Sequence, residues 1–235
     1  MESLKRSSVA AIESIRHGLV VSCQAWPESP LHGSVYMSAM AQAAAKGGAA
    51  GIRANGAEDI RAIRECVSLP IIGIQKSFDA QGGLWITATF ADAASVANAG
   101  AEIIAVDGIH EERPDHMRLG ELVARIHSEL GRHVMVDVSR FDEGVRAEKL
   151  GADLVATTLA VRGPNQQAPD YDLLGRLVQS LSIPVVAEGL FWTPEQVCAA
   201  LDLGAHAVVV GSAITRPDEI TLRFVRAIQA RARWT

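Results

Sequence analysis

One pattern occurs four times along the chain: the end of a helical stretch, a glycine, then a near-continuous apolar run. The copies are Lys46-Gly-Gly-Ala-Ala-Gly-Ile-Arg, Asn98-Ala-Gly-Ala-Glu-Ile-Ile-Ala-Val-Asp, Lys149-Leu-Gly-Ala-Asp-Leu-Val-Ala-Thr-Thr and Asp202-Leu-Gly-Ala-His-Ala-Val-Val-Val-Gly. Glycine permits the left-handed backbone that stops a helix. An apolar run without alternation suits a parallel strand covered on both faces. Three further runs lie between the copies, Leu69-Pro-Ile-Ile-Gly-Ile, His133-Val-Met-Val-Asp-Val and Ile183-Pro-Val-Val-Ala-Glu, and Gly18-Leu-Val-Val-Ser-Cys stands near the start. Together they predict strands at 18–23, 49–53, 70–75, 102–107, 133–138, 153–158, 183–188 and 206–211. Amphipathic stretches at 34–46, 57–67, 117–130, 141–150, 171–181 and 193–203 predict helices between them, the last opening on Thr193 as cap and Pro194 in the first turn. Eight β-α units favour an α/β fold of the (β/α)8 TIM-barrel type over a doubly wound sheet, which usually has fewer strands and a glycine fingerprint after the first.

Composition narrows the function more than the fold. With 235 residues, 49% hydrophobic and 21% charged, the chain has enough apolar material to fill one barrel domain spanning 1–235. A net charge of −5 and no run of five or more basic residues argue against a nucleic-acid partner and favour a small molecule. Cys23, Cys66 and Cys198 form an odd set without pairing spacing, as expected of thiols in a reducing cytoplasm. The opening segment is interrupted by Glu13, Ser14 and Arg16 rather than forming a signal-peptide core, and no apolar stretch is long enough for a bilayer.

In a barrel of this kind the site is built where the strands end. The apolar runs stop at Gln24, Arg53, Lys76, Asp107, Asp137, Thr157 with Thr158, Glu188, and Gly211 with Ser212. Any one of these could simply mark a strand leaving the core; barrel geometry aims all of them at one pocket. Lys76 is the sharpest signal. The chain uses arginine eighteen times and lysine four, and only Lys76 ends a buried strand. A crowded or desolvated ammonium gives up its proton near neutral pH, whereas a guanidinium does not, so an acid/base role calls for lysine. The alternative is a salt bridge to Asp107 or Asp137. Glu188 ends the seventh strand, opposite the third, so an amine and a carboxyl flank whatever lies between; its plainer reading is a carboxylate that orients Arg53 or a hydroxyl. Gly189, and Gly211-Ser212-Ala-Ile-Thr-Arg216-Pro217 after the eighth strand, place small residues and a short helix start where backbone N–H groups face an anion, with Arg216 as an added charge. None of the seven histidines falls beside an aspartate at a strand end, so no metal centre is expected, although Asp107 and Asp137 could hold magnesium weakly through water; His110, in a loop, is the histidine to watch.

The stretches Val20-Val-Ser-Cys-Gln24, Ile52-Arg53-Ala-Asn-Gly56, Leu69-Pro-Ile-Ile-Gly-Ile-Gln-Lys76, Ile86-Thr87, Ile104-Ala-Val-Asp107, Val136-Asp137-Val-Ser139, Thr157-Thr158-Leu159, Ala187-Glu188-Gly189 and Gly211-Ser-Ala-Ile-Thr-Arg-Pro217 resemble, over nearly the whole chain, the N-acetylmannosamine-6-phosphate 2-epimerase family. The resemblance implies interconversion of N-acetylmannosamine 6-phosphate and N-acetylglucosamine 6-phosphate in sialic-acid breakdown, without metal or organic cofactor, by a homodimer. It assigns Lys76 as base at the second carbon and Glu188 as its partner. Gln24, Arg53 and Asp137, with Asp107, Thr157 and Thr158 at neighbouring strand ends, would hold the ring-opened sugar, Arg53 facing the carbonyl oxygen. Gly189, Gly211, Ser212 and Arg216 would hold the phosphate. The chain departs from the pattern at Ser77, Ala88 and Ala160-Val-Arg-Gly163, where members often carry arginine, proline and Ser-Gly-Tyr-Thr. The last change falls in a loop expected to touch substrate, with Arg162 offering a new partner. A Schiff-base aldolase of the same barrel type and a non-catalytic sugar-phosphate binder are the competing readings. For the dimer, Leu222, Phe224, Val225 and Ile228, with Trp234, give the last helix an apolar face.

Overall fold

Apolar residues on both faces of each short strand demand cover on both sides, and the chain supplies it by closing the sheet on itself inside a ring of helices. The computed structural model describes residues 10–160 and 166–232. Strands β1 Gly18–Cys23, β2 Gly51–Asn55, β3 Ile71–Ile74, β4 Ile103–Asp107, β5 His133–Asp137, β6 Leu154–Ala156, β7 Val185–Glu188 and β8 Ala207–Val210 run parallel in a closed barrel of order β1-β8-β7-β6-β5-β4-β3-β2. Closure is made by β1 against β8, with Val20 opposite Val209. The helices are α1 Ser34–Lys46, α2 Ala57–Cys66, α3 Phe90–Asn98, α4 Leu119–Arg125 continued by a π turn Ile126–Leu130, α5 Phe141–Lys149, α6 Tyr171–Ser180, α7 Pro194–Asp202, the single turn α8 Ser212–Thr215, and α9 Pro217–Ala232.

Alternation along each strand sorts the core into two layers. Val20, Ile72, Ile103, Met135, Leu154, Val186 and Val209 fill the barrel, closed near the start of β1 by Ile15 and near the mouth by Ile86. Ile52, Ile71, Ile104, Val136, Val155, Val185 and Val208 face outward against Met37, Ile60, Ile63, Leu122, Leu173 and Leu177 of the helices. One more inward step at the carboxyl end of each strand reaches the polar set. Because the inward residues are apolar below and polar at the mouth, the fold itself collects the chemistry at one end.

Three features differ from the sequence reading. Strand β2 is Gly51–Asn55 rather than 49–53, which leaves Asn55 at the mouth and puts Arg53 one layer below it. Lys76 does not end β3; it opens the antiparallel hairpin Lys76–Phe78 with Leu84–Ile86, whose register sets Lys76 opposite Ile86. Helix α3 is an added element, started by a capping box in which Thr89 Oγ1 accepts from the Asp92 N–H and the Asp92 carboxylate accepts from the Thr89 N–H. No helix among the described residues is long and apolar enough to cross a membrane.

Candidate active site

A cavity of about 240 Å³ opens at the carboxyl ends of the strands. Its wall includes Gln24 and Trp26 after β1, Asn55 of β2, Lys76, Thr158 after β6, Glu188 and Gly189 of β7 and its loop, Gly211 and Ser212 after β8, and Arg216. Eight of the residues expected from the sequence thus share one wall: Lys76, Glu188, Gln24, Thr158, Gly189, Gly211, Ser212 and Arg216.

Beneath this wall lies a buried ionic floor. Arg53, 1% exposed, donates to Asp137 Oδ2 (2.5 Å) through Nη2 and to Asp137 Oδ1 (3.2 Å), Glu188 Oε2 (2.5 Å) and Thr158 Oγ1 (3.2 Å) through Nη1. Thr158 Oγ1 also lies 2.8 Å from Asp137 Oδ1 and 3.1 Å from Glu188 Oε2. Thr157 ties the adjoining backbones, its Oγ1 donating to the Glu188 carbonyl (2.9 Å) and accepting from the Glu188 N–H (3.0 Å). The Glu188 carboxyl is therefore held from below and from the side, leaving it one orientation toward the cavity. Arg53 is the residue placed differently from expectation: its two terminal nitrogens are engaged by this floor and it does not reach the cavity wall, because the two-residue shift of β2 lowers it by one layer. Its guanidinium spans Asp137 and Glu188. Asp137 and Thr157 likewise sit behind the wall.

Asp107 also does not line the cavity. It faces inward on β4, but its Oδ1 accepts from Arg113 Nη1 (2.9 Å) and its Oδ2 from the Ile86 N–H (3.3 Å). His110 stacks on Trp85 with centroids 4.2 Å apart and places Nδ1 3.3 Å from Asp107 Oδ1. Among the described residues no group of three His, Cys, Asp or Glu side chains converges as metal ligands do.

The two candidate proton carriers are tuned toward each other. Burial, then the nearby Arg53 charge, lowers the Lys76 amine from its ordinary 10.5 to about 8, against the opposing pull of Glu188 and Asp137. Its Nζ sits 4.6 Å from the Trp26 ring centroid, an apolar wall that also accepts a cation. Burial, with Asp137 as a like charge, pushes the Glu188 carboxyl above the usual carboxylate range, while Arg53 and Thr158 restrain it. Gln24 Nε2 donates to Ser22 Oγ (2.8 Å), whereas its buried Oε1 has no partner among the described residues. A buried acceptor left unsatisfied costs stability unless a ligand N–H or O–H reaches it.

At the glycine-bearing side of the cavity, Gly189 adopts φ 110°, a conformation that strains any side-chain-bearing residue. A Cβ on Gly211 would stand 3.3 Å from the Ser22 Cβ, so glycine keeps the backbone open to the cavity. Arg216 is held at the wall by Asp218 (2.9 Å) and Glu219 (3.3 Å). Sequence reasoning missed Trp26, Asn55, Phe191 and Trp192 as wall residues; an aromatic three positions beyond the end of β1 is the one signal that could have found Trp26. Arg162, in the altered loop, lies outside the described residues, and Ala160 before it is buried.

Residues 37–230 match the family model described as "Putative N-acetylmannosamine-6-phosphate epimerase". A Caldanaerobacter subterraneus subsp. tengcongensis protein named "Putative N-acetylmannosamine-6-phosphate 2-epimerase" is 46% identical over 224 residues, covering 94% of each chain. A protein of Cutibacterium acnes bearing the same name is 44% identical over 223 residues, 93% of this chain and 96% of that one. The solved N-acetylmannosamine-6-phosphate 2-epimerase from Clostridium perfringens superposes with a TM-score of 0.87 at 43% identity, covering 92% of this chain and 95% of that one. Thiamine phosphate pyrophosphorylase from Pyrococcus furiosus, 18% identical with a TM-score of 0.59 over 88% of this chain and 91% of that one, shares the fold alone. With its fold, its mouth residues and these relatives in agreement, the chain belongs to the N-acetylmannosamine-6-phosphate epimerase family.

Proposed function

We propose that this protein interconverts N-acetylmannosamine 6-phosphate and N-acetylglucosamine 6-phosphate by moving the proton on the second sugar carbon. The observation that carries the reading is the pairing of Lys76, in the hairpin that follows β3, and Glu188, at the end of the opposite strand β7, on the wall of one cavity that also holds Gly189, Gly211, Ser212 and Arg216. Inversion requires a proton to leave one face and arrive at the other. Lys76 is the base on one face and Glu188 the acid on the other, with the roles exchanged in reverse. The proton beside an aldehyde is weakly acidic, so a developing enolate needs positive charge nearby. The Lys76 ammonium formed on proton removal supplies it; Arg53 acts at one remove by fixing Glu188. Gln24 Oε1 accepts from the acetamido N–H, and the glycines, Ser212 and Arg216 receive the phosphate. The scheme calls for no metal or organic cofactor.

Turnover of N-acetylmannosamine 6-phosphate in heavy water, followed by NMR, tests the assignment. The product should carry deuterium at the second carbon. Binding without deuterium incorporation would make the protein a sugar-phosphate binder, and a borohydride-trapped adduct at Lys76 would make it an aldolase-type enzyme.

The pH dependence follows from the pair. Neutral Lys76 with protonated Glu188, and ammonium Lys76 with carboxylate Glu188, hold the same number of protons, so their ratio does not vary with pH. Activity disappears when the pair gains a second proton at low pH or loses its last one at high pH. The alkaline limb of kcat/KM should therefore begin at about 8, the value to which Lys76 is lowered. A profile still level at the ordinary lysine value of 10.5 would contradict the assignment.

The same proposal places the reaction in sialic-acid breakdown in the cytoplasm, consistent with the free thiols Cys23, Cys66 and Cys198. It also makes the single-domain chain a homodimer through α9. Every residue from 221 to 231 is exposed, Phe224 and Ile228 at 69% and 68%; Trp234 lies outside the described residues. Apolar side chains on an otherwise uncovered helix favour a second surface against them. Sedimentation should show a dimer that Phe224→Lys with Ile228→Lys converts to monomer; a monomeric wild type would contradict it.

A further inference from the structure

We propose that Thr87, Asp107 and Arg113 are positioning residues, a clamp that fastens the foot of the Lys76 hairpin to β4 and thereby sets where the amine stands in the cavity. The inference rests on Lys76 being a proton carrier.

The hairpin reaches Lys76 through its cross-strand partner Ile86. The Ile86 N–H donates to Asp107 Oδ2 (3.3 Å). The next residue, Thr87, is wholly buried and left-handed at φ 51°, rare for a β-branched residue. Its Oγ1 donates to the Ala105 carbonyl of β4 (2.6 Å) and accepts from the Gln75 N–H (3.2 Å), while its own N–H donates to the Gln75 carbonyl (2.7 Å). Gln75 and Thr87, the residues flanking the Lys76–Ile86 pair, are thus locked to each other and to β4. Arg113 completes the lock: Nη1 donates to Asp107 Oδ1 (2.9 Å) and to the Asp107 carbonyl (3.1 Å), and Nη2 to the Thr87 carbonyl (3.3 Å). Its guanidinium lies 5.4 Å from the Trp85 ring centroid.

Arg113 and Asp107 are both buried, yet none of the three clamp residues lines the cavity. A desolvated ion pair contributes little net stability, and backbone strain persists only where the surroundings impose it. Both converge on Ile86 and Thr87, on the hairpin strand opposite Lys76, whose side chain faces Arg53 of β2, Asp137 of β5, Glu188 of β7, Arg216 beyond β8 and the Trp26 ring. Loosening the foot lets water reach the amine. Since burial is the largest influence holding Lys76 below its ordinary value, rehydration moves its titration upward.

Thr87→Val keeps the β-branched shape and removes Oγ1. Its kcat should fall by about tenfold to a hundredfold, the scale of a small misplacement of a reacting group. KM should change by less than about threefold, and the alkaline limb should rise by about one pH unit. Thr87→Ser, which restores Oγ1, should recover most of the rate. Asp107→Asn combined with Arg113→Met, which leaves no lone buried charge, gives the same reading should Thr87→Val not fold. Folded variants with wild-type kcat, with a change in KM alone, or with a lost rate and an unmoved limb overturn the clamp. Lys76→Met run alongside separates the two claims: if it retains wild-type activity the base assignment fails, and if it is inactive while Thr87→Val is unaffected the clamp alone fails.

Discussion

Replacing Lys76 with methionine should lower kcat/KM for epimerisation by about 10³- to 10⁴-fold, the scale of removing a positioned acid/base group, and should at the same time make the protein more stable. The two effects share a cause. Burial and Arg53 hold the amine at about 8 rather than 10.5, so at neutral pH the folded state carries an ammonium it disfavours and the unfolded state does not share that cost. Methionine fills similar volume without charge. The expected gain is about 1–3 kcal/mol near pH 7, after allowance for partial exposure. Because the folded value is the lower of the two, the gain is full below about pH 8 and fades as pH rises toward 10.5. Chemical denaturation at pH 7 and pH 10, beside initial rates, checks both parts. A destabilised variant would mean that Lys76 is a structural ion-pair partner, the plainer reading of its place at a strand end.

Arg53→Met should do the opposite to stability and much the same to rate. Arg53 neutralises Asp137, 0% exposed, and grips Glu188. Removing one member of a buried ionic group leaves its partners uncompensated, which costs about 3–5 kcal/mol. Glu188, already pushed up by burial and now without Arg53 to restrain it, takes a proton more readily in the folded variant. A folded-state value raised above the unfolded one stabilises at low pH and ceases to do so as pH rises, so the deficit against wild type should narrow toward acid pH. The rate should fall by about 10²-fold or more, because the carboxyl loses its fixed direction. Melting curves at pH 5 and pH 8 give the first result and steady-state rates the second; a variant as stable and active as wild type would remove Arg53 from the account.

What was legible in the chain was whatever a period or a repeat could carry. The glycine-capped copies beginning at Lys46, Asn98, Lys149 and Asp202 announced β2, β4, β6 and β8, and the polar residue at each run's end announced the mouth. Lys76 and Glu188 stood out because one chemical type, lysine, was scarce and one position, opposite across eight strands, was forced by topology. The hairpin after Lys76 escaped because three-residue strands are too short to show alternation, although Asp79 and Gly82-Gly83 form a turn sequence between them. Helix α3 escaped because its capping box uses aspartate at the third position, where glutamate or glutamine is the usual signal. Arg53 and Asp107 were legible as inward polar residues, but the side chains that hold them were not. Whether an inward polar group meets substrate or another side chain depends on which neighbour reaches it first, and Arg113, a single arginine in a loop, reaches Asp107 from six residues along the chain.

Proton exchange at the second carbon, measured for each epimer separately in heavy water with Lys76→Met and Glu188→Gln, tests the opposed pair most directly. Each variant should wash deuterium into one epimer without inverting it, and the two variants should choose different epimers, because each retains the carrier on one face only. Exchange from the same epimer in both variants, or inversion by either at the wild-type rate, would contradict the account.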